Sequence, residues 1–119
     1  MNNFINMKNE ITFEDFGKVD IRIGTIVEVQ DFPKARKPSY QLKIDFGNLG
    51  VKHSSAQITH LYTKEMLLGK QISAVVNFKT KQIANFFSEC LVLGIENTNG
   101  EIVLLQASSS TIKNGEQIS

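Results

Sequence analysis

The run Tyr40-Gln41-Leu42-Lys43-Ile44-Asp45-Phe46 alternates apolar and polar residues without a break. A period of two is what a β-strand with one face on a core requires. An earlier run repeats it: Ile21, Ile23, Thr25, Val27 and Val29 alternate with Arg22, Gly24, Glu28 and Gln30. Ile26 is the one apolar residue of that run expected on the opposite face. Gly24 in its middle predicts a bulge or sharp bend, as at a barrel corner. Between the two runs, Asp31 to Ser39 carries Pro33 and Pro38 and reads as a loop. A chain that opens on two such strands is bound to a sheet that must roll up or stack to cover its apolar face.

The remaining elements follow from the same signals. Thr12-Phe13-Glu14-Asp15 predicts a short helix with Thr12 as its N-cap, stopped by Gly17. Gly47-Asn48-Leu49-Gly50 is a turn into a third strand, Val51–Gln57. Ile58, Leu61, Tyr62 and Leu68 fit one face of a helix that Gly69 would end. Ile72, Ala74, Val76 and Phe78 begin a fourth strand, and Leu91, Leu93 and Ile95 a fifth. Asn99-Gly100 predicts a type I′ hairpin into Glu101–Leu105. The order is strand, strand, strand, short helix, strand, strand, with a C-terminal strand extension. That is the connectivity of the OB-fold, an all-β, five-stranded Greek-key barrel with short helices. At 119 residues the chain is expected to be a single domain over 1–119, with residues 1–10 a flexible or dimer-forming arm.

Several functions are set aside by what the chain lacks. Cys90 is the single cysteine and sits in the apolar run Cys90-Leu91-Val92-Leu93, so it reads as a small core residue. With it, His53 and His60 do not make a zinc site, so no metal and no cofactor is expected. His53-Ser54-Ser55 has no Gly-x-Ser-x-Gly context and no acid at a recognisable spacing, so no catalytic residue is assigned and the protein is expected not to be an enzyme. Met1 to Glu10 has no apolar run of a signal peptide, and no stretch approaches a membrane span, so the expected location is cytoplasmic, without membrane insertion.

The charge is distributed unevenly. Residues 34–81 hold nine Lys and Arg against two acids, Asp45 and Glu65, although the whole chain is only +1. A basic middle between acidic flanks points to a polyanion, nucleic acid first. In an OB-fold the face of strands 2 and 3 and the loops joining strands 1–2 and 4–5 bind oligonucleotides. Here those loops are 31–39, with Lys34, Arg36 and Lys37, and 79–89, with Lys79 and Lys81; the strands between add Lys43 and Lys52. Lys and Arg neutralise phosphates, and rings give stacking faces to unpaired bases. Phe86 and Phe87 are candidates for such contact. Phe32 and Phe78 are expected instead to anchor their loops to the core. Ser54, Ser55 and Gln57 read as neutral hydrogen-bonding groups on the binding face.

Val19-Asp20-Ile21-Arg22-Ile23-Gly24-Thr25-Ile26-Val27 resembles the opening signature of the tRNA-binding OB domain of synthetase cofactors and of C-terminal extensions of some methionyl-tRNA synthetases. Val75-Val76-Asn77-Phe78 and Ser88-Glu89 are similar to its second signature. Ser54-Ser55-Ala56-Gln57-Ile58, Ala74–Phe78, Leu91–Gly94 and Val103–Gln106 resemble the free-standing CsaA-type members, described as secretion chaperones. The resemblance covers about residues 13–118. It implies a non-catalytic homodimer that binds tRNA, with Asn77, Lys79, Lys81, Ser88 and Glu89 on the second binding signature and Lys34 and Arg36 in the first loop. It also implies an alternative, capture of unfolded precursor proteins or export machinery in a dimer groove, using Phe86 and Phe87. Against the family pattern, Lys79-Thr80-Lys81-Gln82 lacks a proline and a base, and Asn85 stands where glycine is usual, so Asn85 is expected to take a positive φ. Strand 101–105, apolar on both faces, adds to the expectation of a homodimer, since exposed it would be a sticky edge.

Overall fold

The computed structural model describes residues 6–119, so part of the expected N-terminal arm, residues 1–5, lies outside the described residues. Residues 6–12 precede a short helix, α1 (Phe13–Gly17), and are exposed. Thr12 caps α1 as expected: its hydroxyl accepts from the Asp15 N–H at 3.1 Å and the Asp15 carboxylate accepts from the Thr12 N–H at 3.2 Å. This reciprocal box satisfies two donors that a helix start leaves open.

The centre is a nearly closed antiparallel barrel. Its five strands are β1 (Ile21–Asp31), β2 (Tyr40–Asp45), β3 (Val51–Ala56), β4 (Gln71–Val75) and β7 (Leu91–Val92), in the order β3-β2-β1-β4-β7. The seam between β3 and the approach to β7 is fastened by the Glu89 N–H to the His53 carbonyl (2.8 Å) and by the Ser54 hydroxyl to the Cys90 carbonyl (2.9 Å). With the short helix α2 (Lys64–Leu67) between β3 and β4, this is the OB-like barrel that the element order implied. No helix among the described residues is long and apolar enough to cross a membrane.

β1 serves two neighbours. Ile21–Thr25 pairs with β4 and Thr25–Asp31 with β2, and the register shifts between Ile26 and Glu28. This bulge overturns the expected facing of Ile26 and Val27, while Glu28, Val29 and Gln30 face as expected. Before it, Gly24 and Ile26 are buried; beyond it, Val29 packs on the core while Glu28 and Gln30 turn out and Val27 is exposed. One extra residue inverts the parity of everything after it. Gly24 is not the bulge; it is a point of close approach, where a Cβ would lie 2.7 Å from Ile44 and from the Phe46 ring. β2 alternates buried and half-buried as its sequence dictates, and Tyr40, Leu42, Ile44 and Phe46 join Ile26, Ile72 and Leu67 in the core.

Three local expectations are corrected. The helix predicted from Ile58 to Leu68 is only one turn, because Thr63 caps it late; Leu67, not Leu68, is buried. The fifth strand breaks at Leu93. Its continuation β8 (Gly94–Glu96) leaves the barrel to pair with β9 (Ile102–Leu104). Gly94 permits this, since a Cβ there would sit 2.5 Å from Ile102. The β8–β9 turn is not type I′. The Asn97 N–H bonds to the Glu101 carbonyl and the only positive φ is at Gly100 (+77°), which is the longer loop with a left-handed glycine at its end. Beyond β9, the polar C-terminus returns to the barrel. The Gly115 and Ile118 N–H groups bond to the carbonyls of Ile23 and Ile21, on the edge of β1 that β2 has left.

Candidate nucleic-acid interface

Strand register assembles one polar face. Glu28 pairs with Lys43 and Lys43 with His53, so these three form a row across β1, β2 and β3. Gln30, Gln41 and Ser55 form the next row. Successive residues of a strand point to opposite sides, so both rows stand on the outer side of the sheet. A cleft of about 440 Å³ opens above them, walled by Asn85, Phe86, Phe87 and Glu89.

That wall is itself structured. The expected 79–89 loop is a β-hairpin of β5 (Lys81–Ile83) and β6 (Phe86–Ser88). Its two-residue turn puts the positive φ (+54°) at Ala84, not at Asn85 where the resemblance placed it. Phe86 lies 5.4 Å from the buried Phe32, ring centre to ring centre, and 6.2 Å from the His53 ring. Phe32 anchors its loop, as expected. Through Phe86 it also ties loop 31–39 to the hairpin. Phe78 does the reverse of what was expected: it is 58% exposed and anchors nothing in the core. Phe87 is exposed at the mouth of the cleft.

Apart from Lys43, the cations stand outside this cleft. Lys34, Arg36 and Lys37 are exposed on loop 31–39, and Lys79 and Lys81 are exposed on the approach to the hairpin and in β5. Lys79 and Lys81 border an adjoining depression with Phe78 and Leu91, and Glu89 lines both hollows. None of these five, nor Lys43 or Lys52, enters an ion pair among the described residues. Unpaired cations keep their field for a ligand.

Two of the expected contact residues, Ser54 and Asn77, are held in other bonds, and two more, Lys52 and Gln57, do not line the cleft. Ser54 is fully buried, and its hydroxyl holds the barrel seam. The Asn77 amide is engaged at both ends, accepting from the Asp20 N–H (3.0 Å) and donating to the Lys18 carbonyl (2.7 Å), so it fastens the segment between α1 and β1. Lys52 shares the parity of Ser54 and so stands on the other side of β3 from His53. Gln57 lies past the end of β3, in a depression with Val92 and Leu104. Ser55 and Ser88 meet each other across the seam, where the Ser55 N–H reaches the Ser88 hydroxyl at 3.4 Å. The sequence reading missed Glu28, Gln30, Gln41 and His53. Gln41 was legible, being next to Lys43 in the alternation, and so were Glu28 and Gln30, which the alternation already set on the polar side of β1.

Two shifted groups belong to this region. Burial pushes the Glu89 carboxyl up, but the His53 N–H at 2.8 Å, the His53 ring at 3.2 Å and Lys52 outweigh it and hold Glu89 below its ordinary range. Burial pushes the Cys90 thiol up to about 11, against smaller opposing effects of Ser54 and Lys52. Such a thiol is a core residue and not a nucleophile.

Comparison with known proteins gives this geometry a context. The profile of the family described as "Putative tRNA binding domain" matches residues 21–117. Two solved structures superpose closely: the chaperone CsaA from Bacillus anthracis (50% identity, TM-score 0.87, covering 93% of this chain and all of that one) and the CsaA chaperone protein from Picrophilus torridus (52%, TM-score 0.86, covering 92% and 100%). A methionine–tRNA ligase from Chlorobium chlorochromatii is 33% identical over 114 residues, which is 96% of this chain and 16% of the enzyme. The chain thus spans about one-sixth of the length of such curated relatives. With its barrel topology, its basic loops and a profile match over nearly its full length, this chain belongs to the tRNA-binding domain family.

Proposed function

We propose that the protein is a non-catalytic tRNA-binding module of the cytoplasm. The observation that carries this reading is the juxtaposition of loops 31–39 and 79–89 through Phe32 and Phe86, with cations on both that form no ion pair among the described residues. Lys34, Arg36, Lys37, Lys79 and Lys81 would follow the phosphate backbone, and Lys43, Ser55, Ser88 and Glu89 would meet the nucleotides between them. Phe87 offers an open ring. The family and the methionine–tRNA ligase relatives support the choice of RNA over other polyanions. The test is a titration of labelled tRNA across salt concentrations. Affinity should fall steeply, by about 0.7–0.9 in log–log slope per phosphate contact. No binding at low salt, or binding indifferent to salt, overturns the reading.

We further infer a homodimer. On the other side of the barrel lies an apolar groove of about 840 Å³, lined among others by Ile21, Ile23, Leu93, Leu105, Ile112 and Ile118. Phe13 is 97% exposed, and Met7, Ile11, Val103 and Ile95 are also uncovered. So much apolar surface on one chain calls for a cover, and a second copy supplies it symmetrically. A monomer mass in light scattering at micromolar concentration overturns this. The rival use of Phe86 and Phe87, capture of unfolded chains, loses its basis in Phe86, whose ring is spent on Phe32.

A further inference from the structure

Phe78 belongs neither to the core nor to the cleft, yet its backbone is held in place. The preceding residue, Asn77, is clamped through its amide to the Asp20 N–H and the Lys18 carbonyl, and the Val76 N–H bonds to the Asp20 carbonyl at 2.8 Å. The ring itself is 58% exposed. It borders a hollow of about 500 Å³ with Lys79, Lys81, Glu89 and Leu91 among its walls. The wall opposite is fixed as well. The Glu89 N–H bonds to the His53 carbonyl at 2.8 Å, and the Ser88 hydroxyl to the Cys90 carbonyl at 3.3 Å. A hollow with both walls fastened to the barrel is preformed, so a ligand entering it does not bear the entropy of ordering them.

The hollow combines two chemistries. Phe78 and Leu91 offer exposed apolar surface. Lys79 and Lys81 are exposed and form no ion pair among the described residues. Against these two cations stands one acid, Glu89, which is already tied to the His53 N–H and ring, so the hollow stays net positive. Lysine stems lie along apolar surface while their ammonium heads keep to water. The matching ligand has an apolar face and negative charge close beside it. Inorganic phosphate has only the charge, and an apolar peptide side chain has only the face. An unpaired nucleotide has both, since every base has a π-face and carries phosphates to either side. The surroundings point the same way. Glu89 lines this hollow and the cleft alike, so a strand lying on the polar face reaches Phe78 without leaving the protein.

We propose that the hollow beside Phe78 is a stacking site for one unpaired RNA base of any identity, with the Phe78 ring against the base and Lys79 and Lys81 on the flanking phosphates. The proposal rests on the RNA-binding reading above and adds to it a ring contact that phosphate binding does not require.

The experiment uses labelled hexauridylate, read by fluorescence anisotropy across salt concentrations. Phe78→Ala should lower affinity on the order of tenfold, the loss of one base–aromatic stack. Its log–log salt slope should match the native one, because stacking releases no counterions. Lys79→Ala should instead flatten the slope. Phe78→Leu keeps apolar bulk without a π-face and should bind as Phe78→Ala does. The chain contains no tryptophan, so Phe78→Trp places a single indole in the hollow. Hexauridylate should quench its emission and bind as tightly as to the native protein or tighter. These two variants carry the test should Phe78→Ala fail to fold. Native affinity in Phe78→Leu makes the contact merely apolar and overturns the stack. Native affinity in Phe78→Ala, or indole emission indifferent to RNA, overturns the site and leaves salt-sensitive tRNA binding standing. Loss of binding to a labelled unfolded apolar peptide in Phe78→Ala, with RNA spared, assigns the hollow to protein capture and also overturns it. Failure of the native protein to bind any RNA overturns the RNA reading and the site with it.

Discussion

The two sides of this barrel present opposite chemistry on one sheet. The outer side of β1–β3 is polar, edged by Lys34, Arg36, Lys37, Lys79 and Lys81, with every one of these cations unpaired among the described residues. The side formed by the start of β1, Leu93, Leu105 and the returning C-terminus is an apolar groove. The forces acting on them answer differently to solution conditions. Salt screens the first and releases its bound ions' advantage, whereas apolar association holds or strengthens in salting-out conditions. On the proposed reading, a second copy in the apolar groove and a polyanion on the polar face do not compete for area.

The comparison is broken most strongly from the apolar side. Leu105→Asp places a charge in the groove, and the dimer should weaken on the order of a thousandfold, reflecting the several kcal/mol of a buried unpaired charge. Analytical ultracentrifugation reads this. The salt slope of tRNA binding per chain should not move; if it does, the two surfaces are one.

Cys90 reports on the seam between the sides. With its pKa raised from 9.0 to about 11, its thiolate fraction at pH 8 is lower by about two orders of magnitude than that of an ordinary thiol. Labelling should be at least that much slower in the native protein than in denaturant, and it should accelerate with pH up to about 11. Rapid native labelling at neutral pH would mean that the β3–β7 seam opens.

On the polar side, Lys79→Ala with Lys81→Ala should reduce tRNA affinity almost uniformly across sequences, each lost contact flattening the slope by about 0.7–0.9. Ser54→Ala should behave in the contrary way. It removes the shorter of the two hydroxyl bonds to the Cys90 carbonyl and leaves the Ser88 hydroxyl at 3.3 Å, so stability should fall by about 1 kcal/mol in a urea melt, with no change of salt slope. A changed slope would return Ser54 to the binding face. The smallest effect belongs to Lys113→Ala, outside the basic middle: less than about 0.5 kcal/mol in stability and little in RNA binding. Should it match Lys79 and Lys81, attraction is diffuse and the polar face is not a site.

Much of the barrel is readable from local pattern. The alternation of Tyr40 to Phe46, the Thr12 cap and the glycine stops at Gly50 and Gly69 depend on residues within a few positions of one another, and each appears where expected. The site was legible in part. Lysines and arginines on the two loops could be named because charge needs no partner to be exposed. What the sequence could not show is that the Ser54 hydroxyl and the Asn77 amide are taken up by segments far away in sequence.

The sequence by itself determined the strand set, the OB connectivity and the basic middle, since period, turn chemistry and charge are written residue by residue. Tertiary structure alone decided the bulge between Ile26 and Glu28, and with it that Ile26 enters the core and Val27 is left exposed. It also decided that Ser54 bonds a carbonyl 36 positions on and Asn77 a backbone N–H 57 positions back. The reason is register. A strand's side chains are fixed to alternate, but which side meets solvent and which partner lies opposite are set only when another strand, remote in the chain, settles beside it.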